Sequence, residues 1–465
     1  MKNDFKYQLF TQIYFLGIGG IGMSALARFF FAKGYKVAGY DRAESDLTRE
    51  LEKEGIPVIT DESLDALPES YKDVQKTWVV VTPAIPCDHP QLQWFKEHNF
   101  LVQKRSEVLG QVTRQMQALC VAGTHGKTTT STILAHLLYQ SEIGCNAFLG
   151  GISNNYGTNL LLSPESNYVV VEADEYDRSF HQLTPYMSVI TSVDPDHLDI
   201  YGDANGFREG FEHYTSLIQK GGALLLKQGV DITPRLQKGV KLYTYSGLRD
   251  ERNGQTDFYA DCVVVKNGEI RFDFVTPQER IQNLKLGVPV WVNIENSVAA
   301  MALAWLNGVS ANELRLGLAS YCGIYRRFNI HVNTPQVTYI DDYAHHPTEL
   351  QASIESVRRL FPGRKLTGVF QPHLYTRTRD FADRFARVLS SLDEVILLPI
   401  YPARELPIEG VNSEMLLEKI TCPNKRLVQK SELVDILRDR KNEVIMTLGA
   451  GDIDRLVPEI KKALK

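Results

Sequence analysis

The chain has 465 residues, too many for one hydrophobic core, so two to four domains are expected. Hydrophobic residues make up 43% and charged residues 23%, the balance of an ordinary globular protein, and the formal net charge of -5 gives no reason to expect a nucleic-acid partner. The six cysteines (Cys87, Cys120, Cys145, Cys262, Cys322 and Cys422) form no CxxC pair, which argues against zinc and against a disulfide framework. Buried thiols in a reducing compartment are the expectation. Residues 13–32 (IYFLGIGGIGMSALARFFFA) resemble a signal peptide only superficially, because four glycines and Arg28 interrupt the apolar run. No other stretch approaches the ~20 apolar residues of a membrane span. A cytoplasmic protein without stable membrane association is predicted.

Apolar runs of strand length alternate with amphipathic runs of helix length, the pattern of α/β layers built on mainly parallel sheets. A strand near Gln12–Leu16 leads into GIGGIG, a helix near Ile21–Lys33 and a strand VAGYD. A second series starts at QALCVAG and THGKTTT, followed by a helix through Thr130–Tyr139 and strands near YVVVE and MSVITS. Residues 228–285 are more polar and strand-rich, which suggests an antiparallel edge or insertion. The stretch NIENSVAAMALAWLNG reads as a helix. After RRFNIHV a third series carries strands near VTYID, KLTGVFQ, EVILLPI and VIMTL. Three domains follow, over 1–114, 115–328 and 329–465.

Gly17, Gly19 and Gly22 form GxGxxG between strand and helix, with Asp41 ending the next strand. Such a turn lets backbone approach a pyrophosphate at a helix N-terminus, and an acid at Asp41 suits a ribose hydroxyl. The motif does not separate a dinucleotide from a nucleotide-sugar diphosphate, and a tight turn that binds nothing is the bland alternative. The run Gly123-Thr124-His125-Gly126-Lys127-Thr128-Thr129 is sharper, because it follows a strand and opens a helix as a phosphate loop must. Lys127 would neutralise β/γ-phosphate oxygens and the Thr128 hydroxyl would ligate Mg²⁺. Val121 stands where the standard pattern has glycine, so the loop is a variant.

Two acidic clusters, Glu172 to Asp177 and Asp194 to Asp199, follow predicted strands and should share the sheet edge of the phosphate loop. Carboxylates there suit Mg²⁺, with His197 as a further ligand; a solvated charge cluster is the competing reading. Asn293, Asn296, Arg326 and Arg327 either serve the nucleotide or decorate a linker. In the third series, DDYAHHP and QPHLYTRTR gather Asp341, Asp342, His345, His346, His373, Arg377 and Arg379 after strands. Arginine forks there suit a carboxylate or phosphate.

In order, GIGGIGMS, GTHGKTTT, EADE, DHLD, GIYRRF, DDYAHHPTE, QPHLYTRTRDF and LGAGDI resemble the Mur ligases over essentially the whole chain. The resemblance implies a Rossmann-like UDP-binding domain, a central P-loop ATPase domain with a parallel sheet and a C-terminal Rossmann-like domain. It implies that Gly17, Gly19, Gly20, Gly22 and Asp41 bind a UDP-sugar rather than NAD. Gly123 to Thr129 with Asn293, Asn296, Arg327 and Asp342 would bind ATP, and Thr128, Glu172 and His197 would hold Mg²⁺. Lys127, His197, His345, His346 and Arg377 are the implied catalytic groups, and His373 and Arg377 the amino-acid site. Three positions depart from the family pattern: Leu374 replaces an arginine, Val292 replaces a histidine before Asn293, and no lysine lies between His197 and Lys220 to hold a second Mg²⁺ as a carbamate.

The implied reaction joins L-alanine to the lactyl carboxylate of UDP-N-acetylmuramate in peptidoglycan precursor synthesis. The carboxylate would take the γ-phosphoryl group of ATP, and the amine would then displace phosphate from the acyl phosphate. A histidine of the 345–346 pair is the candidate base, in a hinged enzyme that closes to exclude water. A monomer or homodimer is expected. The nearest rival is a sister ligase that attaches a preformed cell-wall peptide to the same UDP-sugar. A nicotinamide dehydrogenase leaves the phosphate loop idle, and a nucleotide-binding module leaves the C-terminal His/Arg cluster without purpose.

Overall fold

The computed structural model describes residues 10–248, 256–266, 268–403, 405–438, 440 and 443–465; the side chains of 198 and 199, and hence the Asp199 carboxylate, lie outside the described set. The chain divides into two compact units. The first is Met1–Tyr259 with Val275–Arg280 and Asn296–Leu318, and the second is Ala260–Phe274, Ile281–Glu295 and Ala319–Lys465.

The first unit carries two sheets. The N-terminal one is wholly parallel, with β1 (Gln12–Leu16), β2 (Lys36–Tyr40), β3 (Val58–Ile59), β4 (Thr77–Val81) and β5 (Leu101–Lys104) in the order β3-β2-β1-β4-β5. All five residues of β1 are buried and the four after Gln12 are apolar, because a parallel strand is covered on both faces. The order reverses between β1 and β4. A crevice therefore opens beyond their C-terminal ends, where Gly17 and Thr82 lie.

The second sheet contains β6 (Gln117–Ala122), β7 (Asn146–Phe148), β8 (Leu160–Leu161), β9 (Tyr168–Ala173), β10 (Pro185–Ile190), β11 (Ala223–Lys227) and β12 (Lys241–Ser246). They lie in the order β8-β7-β9-β6-β10-β11-β12, parallel except for β7 against β8. Central β6 lies between β9 and β10, so loop 123–126 and Glu172 emerge side by side. The two sheets share one core, in which the Phe29 and Phe148 rings stand 5.3 Å apart. Arg28 ties them together as well, donating to Asn159 Oδ1 at 2.6 Å while pairing with Glu54 at 2.7 Å.

Of the antiparallel edge or insertion expected over 228–285, the antiparallel pairing does not hold at β12 or at the start of β13. β12 runs parallel to β11, and the first residues of β13 (Phe258–Lys266) run parallel to β12. β14 (Glu269–Val275) and β15 (Arg280–Lys285) follow in the order β13-β14-β15. The segment between β11 and β12 returns the chain to the same end of the sheet, which gives that pair its parallel run. In the second unit β16 (Asn329–Asn333), β17 (Val337–Asp342), β18 (Lys365–Phe370), β19 (Glu394–Leu397), β20 (Lys425–Leu427) and β21 (Glu443–Leu448) lie in the order β16-β17-β21-β18-β19-β20. Only β16 is antiparallel to its neighbour. Asp342 and Phe370 both register with Leu448, so the segments after β17, β18 and β21 open on one edge.

The thiols do not all follow the expectation of burial: Cys120, Cys145 and Cys422 are buried, whereas Cys87, Cys262 and Cys322 are exposed. The buried thiols sit in or beside strands, whereas Cys87 lies on a turn, Cys262 within β13 and Cys322 in an irregular segment. Among the described residues no helix is long and apolar enough to cross a membrane.

Candidate functional site

The loop after β6 is bound to the segment after β10. Thr124 N–H donates to Ser192 O at 3.2 Å, His125 N–H to Ser192 Oγ at 2.9 Å, and Thr191 Oγ to His125 O at 2.5 Å. Gly123 (φ 131°) and Gly126 (φ 81°) adopt backbone angles that side chains rarely tolerate. A Cβ on Gly123 would collide with Thr191 Oγ, and one on Gly126 would lie 2.8 Å from Asn296 Oδ1. Asn296, on the helix Val292–Leu306, also receives the Thr130 hydroxyl at 3.3 Å, so the phosphate loop rests on it. Thr129 is half-buried in the first turn of the helix Lys127–Tyr139.

Lys127 is held inside this loop. Its ammonium donates to Gly123 O at 2.6 Å and to Thr124 O at 3.3 Å, and pairs with Glu175 at 2.7 Å. Burial pushes the ammonium down, but the charges of Glu175 and Glu172 outweigh it and hold Lys127 above its ordinary range. The lysine therefore stays a full cation in a buried place. Such a charge is tolerated only while its partner is present. Glu175 comes from the first acidic cluster, of which only Glu172 was expected at the metal.

Thr128 Oγ donates to Glu172 Oε1 at 3.1 Å. Gly150, on the turn after β7, faces both groups: a Cβ there would collide with Glu172 Oε2 and lie 3.1 Å from Thr128 Oγ. A hydroxyl and a carboxylate beside a space that only glycine leaves open suit a hard cation that keeps several waters. Gly150 went unnoticed in the sequence, where the doublet Gly150-Gly151 after a strand was the available signal. His197 (φ 51°) lies edge-on to Tyr176 with ring centroids 5.1 Å apart, and its Nε2 is 3.7 Å from Asp196. Among the described residues no three His, Cys, Asp or Glu side chains cluster as a metal site.

At the N-terminal turn Gly17 has φ 86°, and a Cβ there would run into Thr82. Gly19 N–H donates to Asp41 Oδ2 at 2.7 Å, and a Cβ on Gly19 would stand 2.8 Å from the same oxygen. Asp41 thus shapes the turn. Gly20 caps the helix Ile21–Ala32, and Gly22 in its first turn faces Arg105, whose Nη1 would be 2.8 Å from an added Cβ. One cavity of ≈ 290 Å³ runs from Gly20, Gly22 and Arg105 to Gly150 and Glu172. The glycine turn and the Thr128–Glu172 cradle therefore share one space.

In the second unit the edge of β17, β21 and β18 gathers the remaining candidates. Arg326 donates to Gly449 O at 2.9 Å and Gly451 O at 3.0 Å and pairs with Asp454 at 3.1 Å. Arg327 lies 5.0 Å over the Tyr343 ring, its Nη1 3.9 Å from Glu349. Asp342 accepts the Ser353 hydroxyl at 2.6 Å, and burial raises its carboxyl above the usual range. Burial also raises its neighbour Asp341, to about 6. Asn293 is buried and donates to Val288 O at 3.3 Å.

The three histidines differ in where their protons must sit. His346 Nδ1 accepts Thr348 N–H at 3.3 Å, and Glu349 accepts His346 N–H, which makes a capping box for the helix Pro347–Leu360. His373 Nδ1 accepts from Arg377 at 3.2 Å; burial, with Arg377 beside it, lowers this ring to about 4. His345 is the reverse: Nδ1 lies 3.0 Å from Tyr343 O and 3.4 Å from Glu349, both acceptors, so its proton sits on Nδ1 and its lone pair on Nε2. Burial lowers His345 despite Glu349, so the ring is neutral. Leu374 (φ 70°) opens the short helix Tyr375–Asp380 that carries Arg377.

The sequence profiles described as "Mur ligase family, catalytic domain", "Mur ligase middle domain" and "Mur ligase, glutamate ligase domain" match residues 12–117, 121–304 and 326–451. The chain belongs to the Mur ligase family, with three Mur ligase domains. It is similar to UDP-N-acetylmuramate–L-alanine ligase of Parabacteroides distasonis, 58% identical over 98% of this chain and 97% of the relative. The protein of that name from Porphyromonas gingivalis is 55% identical over 98% of this chain and 99% of its own. A solved UDP-N-acetylmuramate–alanine ligase from Thermotoga maritima superposes with a TM-score of 0.81 at 27% identity, covering 97% of this chain and 98% of that one. A murein peptide ligase from Psychrobacter arcticus shares the fold (TM-score 0.68, 20% identity, 98% of each chain covered).

Proposed function

We propose that this chain is the ATP-dependent ligase that joins L-alanine to the lactyl carboxylate of UDP-N-acetylmuramate, in the cytoplasm, through an acyl phosphate. The observation that carries the reading is the shared cavity: a sugar-nucleotide turn opens into the space beside a phosphate loop and its carboxylate. A dehydrogenase has no use for that connection. Relatives of 58% and 55% identity carry the L-alanine ligase name, which favours this acceptor over a preformed peptide.

In this reading Gly17, Gly19, Gly20 and Gly22 bind the UDP diphosphate, and Asp41 shapes the turn and meets the ribose. Gly123 to Thr129 cradle the ATP phosphates, with Lys127 as their buried cation and Asn296 beneath the loop. Asn293, Arg327 and Asp342 are the further residues assigned to the nucleotide. Thr128 and Glu172 hold Mg²⁺, with His197 as a further ligand; the ion supplies charge neutralisation at the phosphates. The domain divisions fall near residues 115 and 328. Lys127 lowers the repulsion between the carboxylate and the γ-phosphate and stabilises charge as it passes to the leaving group. Arg377 and His373 bind the carboxylate of the incoming alanine. His345 Nε2 takes a proton from the alanine ammonium, and His346 positions it by capping the adjoining helix.

Phosphate release with ATP, Mg²⁺ and UDP-N-acetylmuramate, with L-alanine, other amino acids or the cell-wall tripeptide added separately, tests this. Release that needs both UDP-N-acetylmuramate and L-alanine is expected. Release with the tripeptide alone would transfer the enzyme to the peptide branch.

A further inference from the structure

Arg105 is a cation that neither the phosphate-loop chemistry nor the glycine turn accounts for. It is the first residue of the helix Arg105–Gln115, directly after β5, and it lines the cavity that joins the glycine turn to Glu172. Its guanidinium divides between the two ends of that cavity. Nη1 packs over Gly22 so closely that an added Cβ would lie 2.8 Å away, while Nη2 stands 3.5 Å from Asp174 Oδ2, a long contact for an ion pair. The side chain is about a quarter exposed, 23%, so the fork faces the cavity with only this loose partner among the contacts described for it. Lys104 is engaged elsewhere, with Asp177 at 2.8 Å.

We infer that Arg105 is the residue that grips an oxyanion of the UDP-sugar inside this cavity, and that Asp174 holds its place until the substrate arrives. The inference rests on the ligase reading above. Two groups of the same substrate share the chemistry: the diphosphate at the glycine turn and the lactyl carboxylate pointed toward the phosphate loop. A planar fork that faces this cavity can take either one bidentately, which a lysine would not. The glycine at position 22 is explained in the same way, because any side chain there would push the fork aside.

The test compares Arg105→Met, Arg105→Lys and Asp174→Asn with the wild type by steady-state phosphate release, varying each substrate in turn. Arg105→Met is expected to raise the KM for UDP-N-acetylmuramate by about 100-fold while the KM values for ATP and L-alanine stay within about twofold. Arg105→Lys should recover part of that loss, and Asp174→Asn should lower the same KM several-fold. Inhibition by UDP-N-acetylglucosamine, which has the diphosphate but no lactyl group, separates the two sources. Inhibition weakened in Arg105→Met assigns the diphosphate, and unchanged inhibition assigns the carboxylate. A KM for UDP-N-acetylmuramate that stays at the wild-type value, or KM values that rise together for all three substrates, would overturn the inference. A wild-type enzyme inactive with these substrates would instead overturn the ligase reading itself.

Discussion

Beside β6 and β9 in the first unit, charge is kept and paired: Lys127 meets Glu175 at 2.7 Å, and Arg105 lies 3.5 Å from Asp174. At the β17–β21–β18 edge of the second unit, charge is suppressed. Burial lowers His345 and His373 and raises Asp341 and Asp342, so neutral rings stand among arginines. Both edges lie at the C-terminal ends of parallel strands, and in the proposed reading they handle different groups. A site for polyphosphate needs a permanent cation, and a site that deprotonates an amine needs a neutral base.

The largest expected effect breaks the first edge. Lys127→Met should reduce phosphate release by about 1,000-fold or more and also lower the unfolding temperature, because Glu175 is left buried and unpaired. Lys127→Met combined with Glu175→Gln should regain stability in a thermal melt without regaining activity. That split separates the electrostatic role of Lys127 from its structural one. A double variant no more stable than the single one would count against the pairing.

The second edge should respond through proton transfer. His345→Gln is expected to cut kcat by about 100-fold and to flatten its acid limb, while His346→Ala should mainly cost about 1 kcal/mol of stability through the lost cap. A pH–rate series on both variants distinguishes them, and equal rate losses would remove the assignment of the base. A smaller effect belongs to the loop. Gly126→Ala places a methyl at φ 81° and 2.8 Å from Asn296 Oδ1, so the KM for ATP should rise by about tenfold.

The smallest expected effect is on stability against pH. Burial lowers His331 to about 4, with Lys461 adding to it, and burial lowers His373 to about 4 as well. Between about 4 and 6.5 the unfolded chain binds protons that these folded rings refuse, so their contribution is complete above 6.5 and lost as pH falls toward 4. Denaturant melts should show the second unit weakening over that window. His331→Phe should reduce the loss by about 1–2 kcal/mol. Asp341, raised to about 6, works in the opposite sense, losing stability as pH rises from 3.8 to 6.

What was legible follows from contiguity. GTHGKT places strand, turn and helix within one segment, so its loop and its lysine could be placed from sequence, as could the GIGGIG turn. Glu175, Gly150 and Arg105 could not be placed, because their importance lies in which distant atom each one faces. The roles of the histidine pair were hidden for a related reason: Tyr343 O, Glu349 and Thr348 N–H decide which ring nitrogen keeps a lone pair. The pattern His346-Pro-Thr-Glu349 did carry a capping-box spacing that could have set His346 apart. The parallel run of β12 and the start of β13 was obscured because polar, one-sided strands look alike in either direction.

The most direct test of the central claim uses UDP-N-acetylmuramate carrying ¹⁸O in its lactyl carboxylate, with ATP, Mg²⁺ and L-alanine, followed by mass analysis of the released phosphate. Activation of the carboxylate beside Lys127 predicts one ¹⁸O atom in each phosphate formed with the amide. Amide product accompanied by unlabelled phosphate would contradict the account.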